Sequence, residues 1–113
     1  MTETMIKTRG CSFCCRTYGT GKPFVLVHGA ACDMDMFEDV AEILSEHFRL
    51  IIYDRRGYSR SVIDEGYPDG EEENSVRAQT EDLREILKAL AGEEKSYVLG
   101  FQYFPQILRL CPD

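Results

Sequence analysis

The run Phe24-Val25-Leu26-Val27 leads without a break into His28-Gly29. A short apolar run with Lys22-Pro23 before it and a glycine after it predicts a strand buried on both faces. Strands of that kind belong to parallel sheets covered by helices on each side. In such sheets ligands sit beyond the carboxyl ends of the strands. His28, Gly29, Ala30 and Ala31 therefore lie where chemistry is expected, and the rest of the chain is read outward from them.

Helical periodicity follows. Phe37, Val40, Ala41, Leu44 and Phe48 share one face of a helix over about Asp35 to His47, and Asp35 with Glu38 has the spacing of a capping pair. A second strand, Leu50-Ile51-Ile52-Tyr53, ends in Asp54. Strand, helix and strand make a βαβ unit, for which a right-handed crossover is expected. Asp54-Arg55-Arg56-Gly57-Tyr58-Ser59-Arg60-Ser61 comes next, then a polar loop to about Asn74. Glu71-Glu72-Glu73 in that loop lacks the alternating ligand spacing of a calcium site and reads as a solvated surface. Val76, Leu83, Ile86, Leu87 and Leu90 align on a helix from about Ser75 to Ala91, which Gly92 stops. Ser96-Tyr97-Val98-Leu99-Gly100 is the last strand. The tail, Phe101 to Asp113, holds Pro105 and Pro112 and reads at best as a broken helix.

Upstream of the central strand, Ile6 to Arg9 and Ser12 to Tyr18 are extended segments around Gly10. Gly19-Thr20-Gly21-Lys22-Pro23 is a turn. It lacks the third glycine of a dinucleotide loop, and Pro23 stands where a P-loop needs Ser or Thr. No cofactor is implied by any of these segments.

The totals bound the function. A chain of 113 residues makes one small domain. Its net charge of -7, from 13 basic and 20 acidic residues, argues against nucleic acid or an anionic membrane as partner. No signal-like apolar run opens the chain and no stretch approaches a membrane span, so a cytoplasmic location is expected. The cysteine count, 5, is odd. Cys11, Cys14 and Cys15 form C-x-x-C-C, but no second C-x-x-C or paired His completes a zinc site. The segment looks like strand rather than the helix start a redox motif needs, so reduced thiols and no metal are expected.

The order of elements, with strand-His-Gly, strand-Asp-x-Arg-Gly and strand-Gly in succession, resembles the α/β-hydrolase fold. His28-Gly29-Ala30-Ala31 is similar to the family's His-Gly segment after the third strand. Asp54 to Ser61 is similar to its Asp-x-Arg-Gly-x-Gly-x-Ser segment, with Asp54, Arg56, Gly57 and Ser61 matching and Ser59 in place of the second glycine. Tyr97-Val98-Leu99-Gly100 resembles the strand that enters the nucleophile elbow. The resemblance spans about Ile6 to Gly100 and implies a mostly parallel sheet of order 1-2-4-3-5 with flanking helices. It also implies acyl transfer by a serine nucleophile, a histidine base and an orienting acid. The oxyanion-hole loop is then His28, Gly29 and Ala30, with the N–H of Ala30 as one donor.

The elbow itself departs from the family. It should read G-x-S-x-G, and the chain reads Gly100-Phe101-Gln102-Tyr103-Phe104. Gln102 holds the nucleophile position, and an amide is no nucleophile. Tyr103 and Phe104 stand where the tight turn needs small residues. Gly57-Tyr58-Ser59-Arg60-Ser61 is one residue from an elbow, but a polar loop follows it and no histidine partners it. His28 reads as a histidine fixed in its turn rather than a base. The expectation is residues 1-100 as the N-terminal part of a hydrolase, a divergent tail over 101-113, and no competent catalytic residue. Such a truncation would come from a frameshift or an early stop. A small-molecule substrate is expected only if a missing half completes the site. The last strand is expected to lie at an open apolar edge, where self-association can occur.

Overall fold

Arg9 and Gly10 both adopt positive φ, 51° and 73°, the torsions of a two-residue hairpin turn. In the computed structural model, which describes residues 1–101, this turn joins β1 (Thr2–Thr8) to β2 (Cys11–Tyr18), with Thr8 opposite Cys11. β1 starts earlier than the periodicity indicates, because an outer strand can carry polar Thr2, Glu3 and Thr4 without burying them. The chain then passes through β3 (Pro23–Val27), a 3₁₀ turn (Met34–Phe37), α1 (Glu38–Ser45) and β4 (Arg49–Tyr53). After these come β5 (Val62–Ile63), α2 (Val76–Ala91) and β6 (Tyr97–Gly100).

The sheet order is β1-β2-β4-β3-β6, with β5 on the side of β2. β6 is the fifth strand of the expected order. The sheet is mixed rather than mostly parallel. Pairing is parallel at β3–β4 and β3–β6, and antiparallel at β1–β2, β2–β4 and β2–β5. The tight Arg9-Gly10 turn forces the first antiparallel pair, because a parallel partner needs a long crossover. β5 interrupts the segment expected to be all loop. Val62 and Ile63 pair with Ser12 and Cys11 there.

Helices cover both faces, which is why β3 and β4 read as unbroken apolar runs. On one face Cys11, Phe13, Val25, Ile51 and Tyr53 pack with Leu83 and Ile86 of α2. On the other, Leu26, Leu50 and Ile52 pack with Phe37 and Ala41 on the α1 side. Burying one such leucine or isoleucine contributes roughly 2–3 kcal/mol. Ser75 caps α2, its Oγ accepting from the Ala78 N–H at 3.1 Å. The expected capping pair of Asp35 and Glu38 does not form. Asp33 is the cap, its Oδ1 accepting from the Asp35 N–H at 2.9 Å. The Asp35 carboxylate points instead at Arg60 and Arg16, which hold it below the usual carboxylate range. No helix among the described residues is long and apolar enough to cross a membrane. The elbow positions Gln102, Tyr103 and Phe104, and the rest of the tail, lie outside the described residues.

Candidate active site

β3 and β6 are in register, with Val27 opposite Gly100. The His-Gly loop and Gly100 therefore leave the sheet at the same, carboxyl, end. His28 is fully buried. Its Nε2 accepts from the Arg55 N–H at 2.9 Å, so the ring proton sits on Nδ1, which donates to the Gly29 carbonyl at 2.8 Å. Burial pushes the imidazole below its ordinary range, because the charged form would lose its hydration. Tyr58 packs edge-on against the ring, centroids 5.0 Å apart. The histidine thus ties the β3 loop to the β4 loop. Gly29 is buried, Ala30 half-buried, and Ala31 takes a left-handed φ of 63°.

Asp54 is the hub of the second segment. Its carboxylate is fully buried and accepts from Met34 N–H at 2.9 Å, from Arg60 N–H at 3.1 Å and from Arg60 Nε at 2.8 Å. It therefore fixes the start of the 3₁₀ turn and the end of its own loop together. Ser61 Oγ donates to the Asp54 carbonyl at 2.7 Å and accepts from the Cys14 N–H at 3.0 Å. That hydroxyl joins the β4 end to β2.

Arg56 forms a bidentate pair with Asp82 of α2: Nε to Oδ2 at 3.0 Å and Nη2 to Oδ1 at 2.8 Å. Nη2 also donates to the Arg9 carbonyl at 2.7 Å, and Arg9 Nε reaches the same carboxylate at 3.0 Å. Asp82 raises the Arg56 pKa. The remaining Arg56 nitrogen, Nη1, is buried and finds no hydrogen-bond partner among the described residues. Its guanidinium lies over the rings of Phe13 and Tyr67, at 5.6 and 5.5 Å, a cation–π environment. Gly57 takes φ 75°, where a Cβ would stand 3.1 Å from Ile63 Cδ1. Asp82 was not singled out from sequence, although a carboxylate four residues before Ile86, on the apolar face of α2, is itself a signal for a buried cation. Arg60 bonds Asp54 six residues back and Asp33 caps the Asp35 N–H two residues on; neither contact leaves a periodic mark in the sequence, because both lie in irregular turns.

Ser59 has φ 45°, the left-handed region that suits the glycine it replaces in the family pattern. It is exposed, and with both His28 nitrogens engaged it finds no base there. Cys11 and Cys15 face the α2 side of the sheet and Cys14 the α1 side, since residues an odd number apart on a strand face opposite ways. All three are free thiols. Burial pushes Cys15 up to about 12 and raises Cys11 and Cys14 as well. Thiolate chemistry is suppressed at all three. Among the described residues no group of His, Cys, Asp or Glu is arranged to hold a metal. An apolar groove of about 420 Å³ opens between α1 and β6, bounded by Leu26, Phe37, Val40, Ile43 and Leu99. It is on the α1 face, and the His-Gly loop does not line it.

Comparison with known proteins agrees with this geometry. The chain is 34% identical over 85 residues to the uncharacterized hydrolase YraK of Bacillus subtilis, covering 73% of this chain and 28% of that protein. It is 33% identical over 86 residues to a fluoroacetate dehalogenase from Burkholderia, covering 76% and 28%. The chain thus spans under a third of the length of these relatives. Among solved structures, an alpha/beta hydrolase from Sphaerobacter thermophilus superposes with a TM-score of 0.71 at 33% identity, covering 86% of this chain and 35% of that one. The epoxide hydrolase CorEH superposes with a TM-score of 0.80 at 26% identity, covering 95% and 35%. A sequence model of the alpha/beta hydrolase fold family matches residues 22–101, from the turn before β3 to the end of β6. The chain belongs to the alpha/beta hydrolase fold family.

Proposed function

We propose that this chain is the N-terminal portion of an α/β-fold hydrolase, holding the oxyanion side of the active site without a nucleophile, acid or base. The observation that carries this is His28. Both its ring nitrogens are engaged with backbone groups, so it has no basic nitrogen to give a nucleophile. Gln102 at the elbow position offers no nucleophile either. In a completed site a second segment supplies the triad: its serine attacks the acyl carbon while the N–H of Ala30 donates to the developing oxyanion, the histidine passes the proton to the departing group, and water then releases the acyl group from the serine. The completed protein hydrolyses a small electrophile of the ester or amide type. The names of the relatives add carbon–fluorine and epoxide bonds to the substrates worth testing. The free, buried thiols suit a reducing compartment, the cytoplasm.

The test uses the 113-residue chain alone and co-expressed with the C-terminal two thirds of a relative such as YraK. Alone it should turn over neither nitrophenyl acetate nor fluoroacetate, and should take no label from a serine-directed phosphonate. The co-expressed pair should hydrolyse the ester, and Ala30→Pro, which removes the donor, should lower kcat by about 10²-fold. A phosphonate adduct on the isolated chain, or activity of that chain lost on His28→Ala, overturns the reading.

A further inference from the structure

Two consecutive peptide planes of the His-Gly loop are held by their carbonyls. A trans peptide sends its C=O and its N–H in opposite directions from one plane, and the described residues contain no cis peptide. The His28 carbonyl accepts from Arg55 Nη1 at 3.4 Å, which aims the Gly29 N–H the other way. The Gly29 carbonyl accepts from His28 Nδ1 at 2.8 Å, which in turn aims the Ala30 N–H away from the ring. That ring is itself held through Nε2 by the Arg55 N–H at 2.9 Å. Both holds return to one residue. Arg55 grips the first plane by its side chain and the second, through the imidazole, by its backbone.

The family pattern fixes Asp54, Arg56, Gly57 and Ser61 and leaves position 55 open. The cation found there is half-buried, and burial lowers its pKa, the mark of lost hydration. Its guanidinium has a built seat. Nε donates to Gln79 Oε1 of α2 at 2.7 Å. The Gln79 amide is fixed from its other end, where Nε2 donates to the Asn74 carbonyl at 2.9 Å. The guanidinium lies 4.7 Å from the centre of the Tyr58 ring, a cation–π distance, and the same ring packs on His28. The bond to the His28 carbonyl is long, so the Gln79 and Tyr58 contacts are what keep Nη1 beside it. We propose that Arg55 is the positioning residue of the His-Gly loop, with Gln79 as its brace. It touches no reacting atom and acts by fixing the direction of the loop's N–H groups. That those groups serve an oxyanion rests on the function proposed for the chain; the hold on the two planes does not.

Nitrogen-15 relaxation of the full 113-residue chain tests the hold. In the parent, the Gly29 and Ala30 amides should have the order parameters of rigid backbone, about 0.85. Arg55→Met keeps the backbone N–H and an apolar stem. In it Gly29 should fall below about 0.6, Ala30, still held through the ring, should fall less, and the His28 carbonyl carbon should move upfield. Gln79→Ala should shift the same signals the same way by less. Arg84→Met, on the exposed side of α2, should leave them in place. Circular dichroism checks each fold; if Arg55→Met does not fold, the parent and Gln79→Ala decide. In the co-expressed pair, Arg55→Met should lower kcat about tenfold with KM nearly unchanged. Should the parent pair be inactive, the proposed function fails and the relaxation data alone decide on Arg55. A mobile Gly29 in the parent, or a Gly29 indifferent to Arg55→Met, overturns the proposal. So does a loss confined to KM, which would make Arg55 a residue that binds substrate.

Discussion

Arg56 and Asp82 meet with side chains only 2% and 3% exposed, Nη2 to Oδ1 at 2.8 Å. Neither charge has water to fall back on. Asp82→Ala leaves Arg56 buried and unpaired, and Arg9 loses its ion-pair partner too. Breaking a buried pair from one side costs about 3–5 kcal/mol, a large part of the stability of a small domain. Urea unfolding followed by circular dichroism should show the variant largely unfolded in buffer. A midpoint within error of the parent's would show that the pair is dispensable.

His28 gives stability a defined pH dependence. Its folded-state pKa is lowered by burial, so between that value and the unfolded value near 6.5 the unfolded chain binds more protons. Stability is then highest above about 6.5 and falls as pH drops below it, levelling off under the folded-state value. Protonating Nε2 would set a donor against the Arg55 N–H, which it now accepts. Urea midpoints measured from pH 7.5 downward should decline through this window, and His28→Asn should flatten the decline. An equal slope in the variant would assign the effect to other groups.

Two neighbouring loop positions should respond in opposite directions. Gly57→Ala forces a side chain into φ 75° against Ile63 and should cost about 1–2 kcal/mol. Ser59→Gly relieves a side chain already held at φ 45°. It should stabilise by up to about 1 kcal/mol, less what glycine's freedom adds to the unfolded chain. Thermal melts of both variants against the parent decide the matter. Destabilisation by Ser59→Gly would mean the hydroxyl has a role of its own.

Ser61→Ala removes a hydroxyl that both gives and takes a hydrogen bond, leaving the buried Cys14 N–H unpaired. The expected cost is about 1–3 kcal/mol. Amide exchange at Cys14 should accelerate beyond the global change if the bond is local in effect.

Strands β3 and β4 and the helices were legible because burial on both faces leaves unbroken apolar runs, and burial on one leaves a 3.6-residue stripe. The strand order came with the resemblance, and the register of Val27 with Gly100 agrees with it. What escaped was settled by tertiary contact. Asp33 rather than Asp35 caps the turn because Arg16 and Arg60 claim Asp35. β5 is too short to carry a period and exists because Cys11 and Ser12 offer it a partner. The mixed sheet follows from a two-residue turn, whose torsions are visible only once the chain is folded. In the site, Asp54, Arg56, Gly57 and Ser61 were picked out by pattern, but their work, gripping α2, β2 and the 3₁₀ turn, depends on residues the pattern does not contain.

The Asp54 carboxylate ends both the Met34 N–H and the Arg60 N–H. Two connections on the ligand side of the sheet are thereby moored to one post before anything arrives. Any segment that docks there meets a rigid template instead of wandering backbone, so little ordering entropy is left to lose at that step, and its arrival should leave these two connections where they already stand.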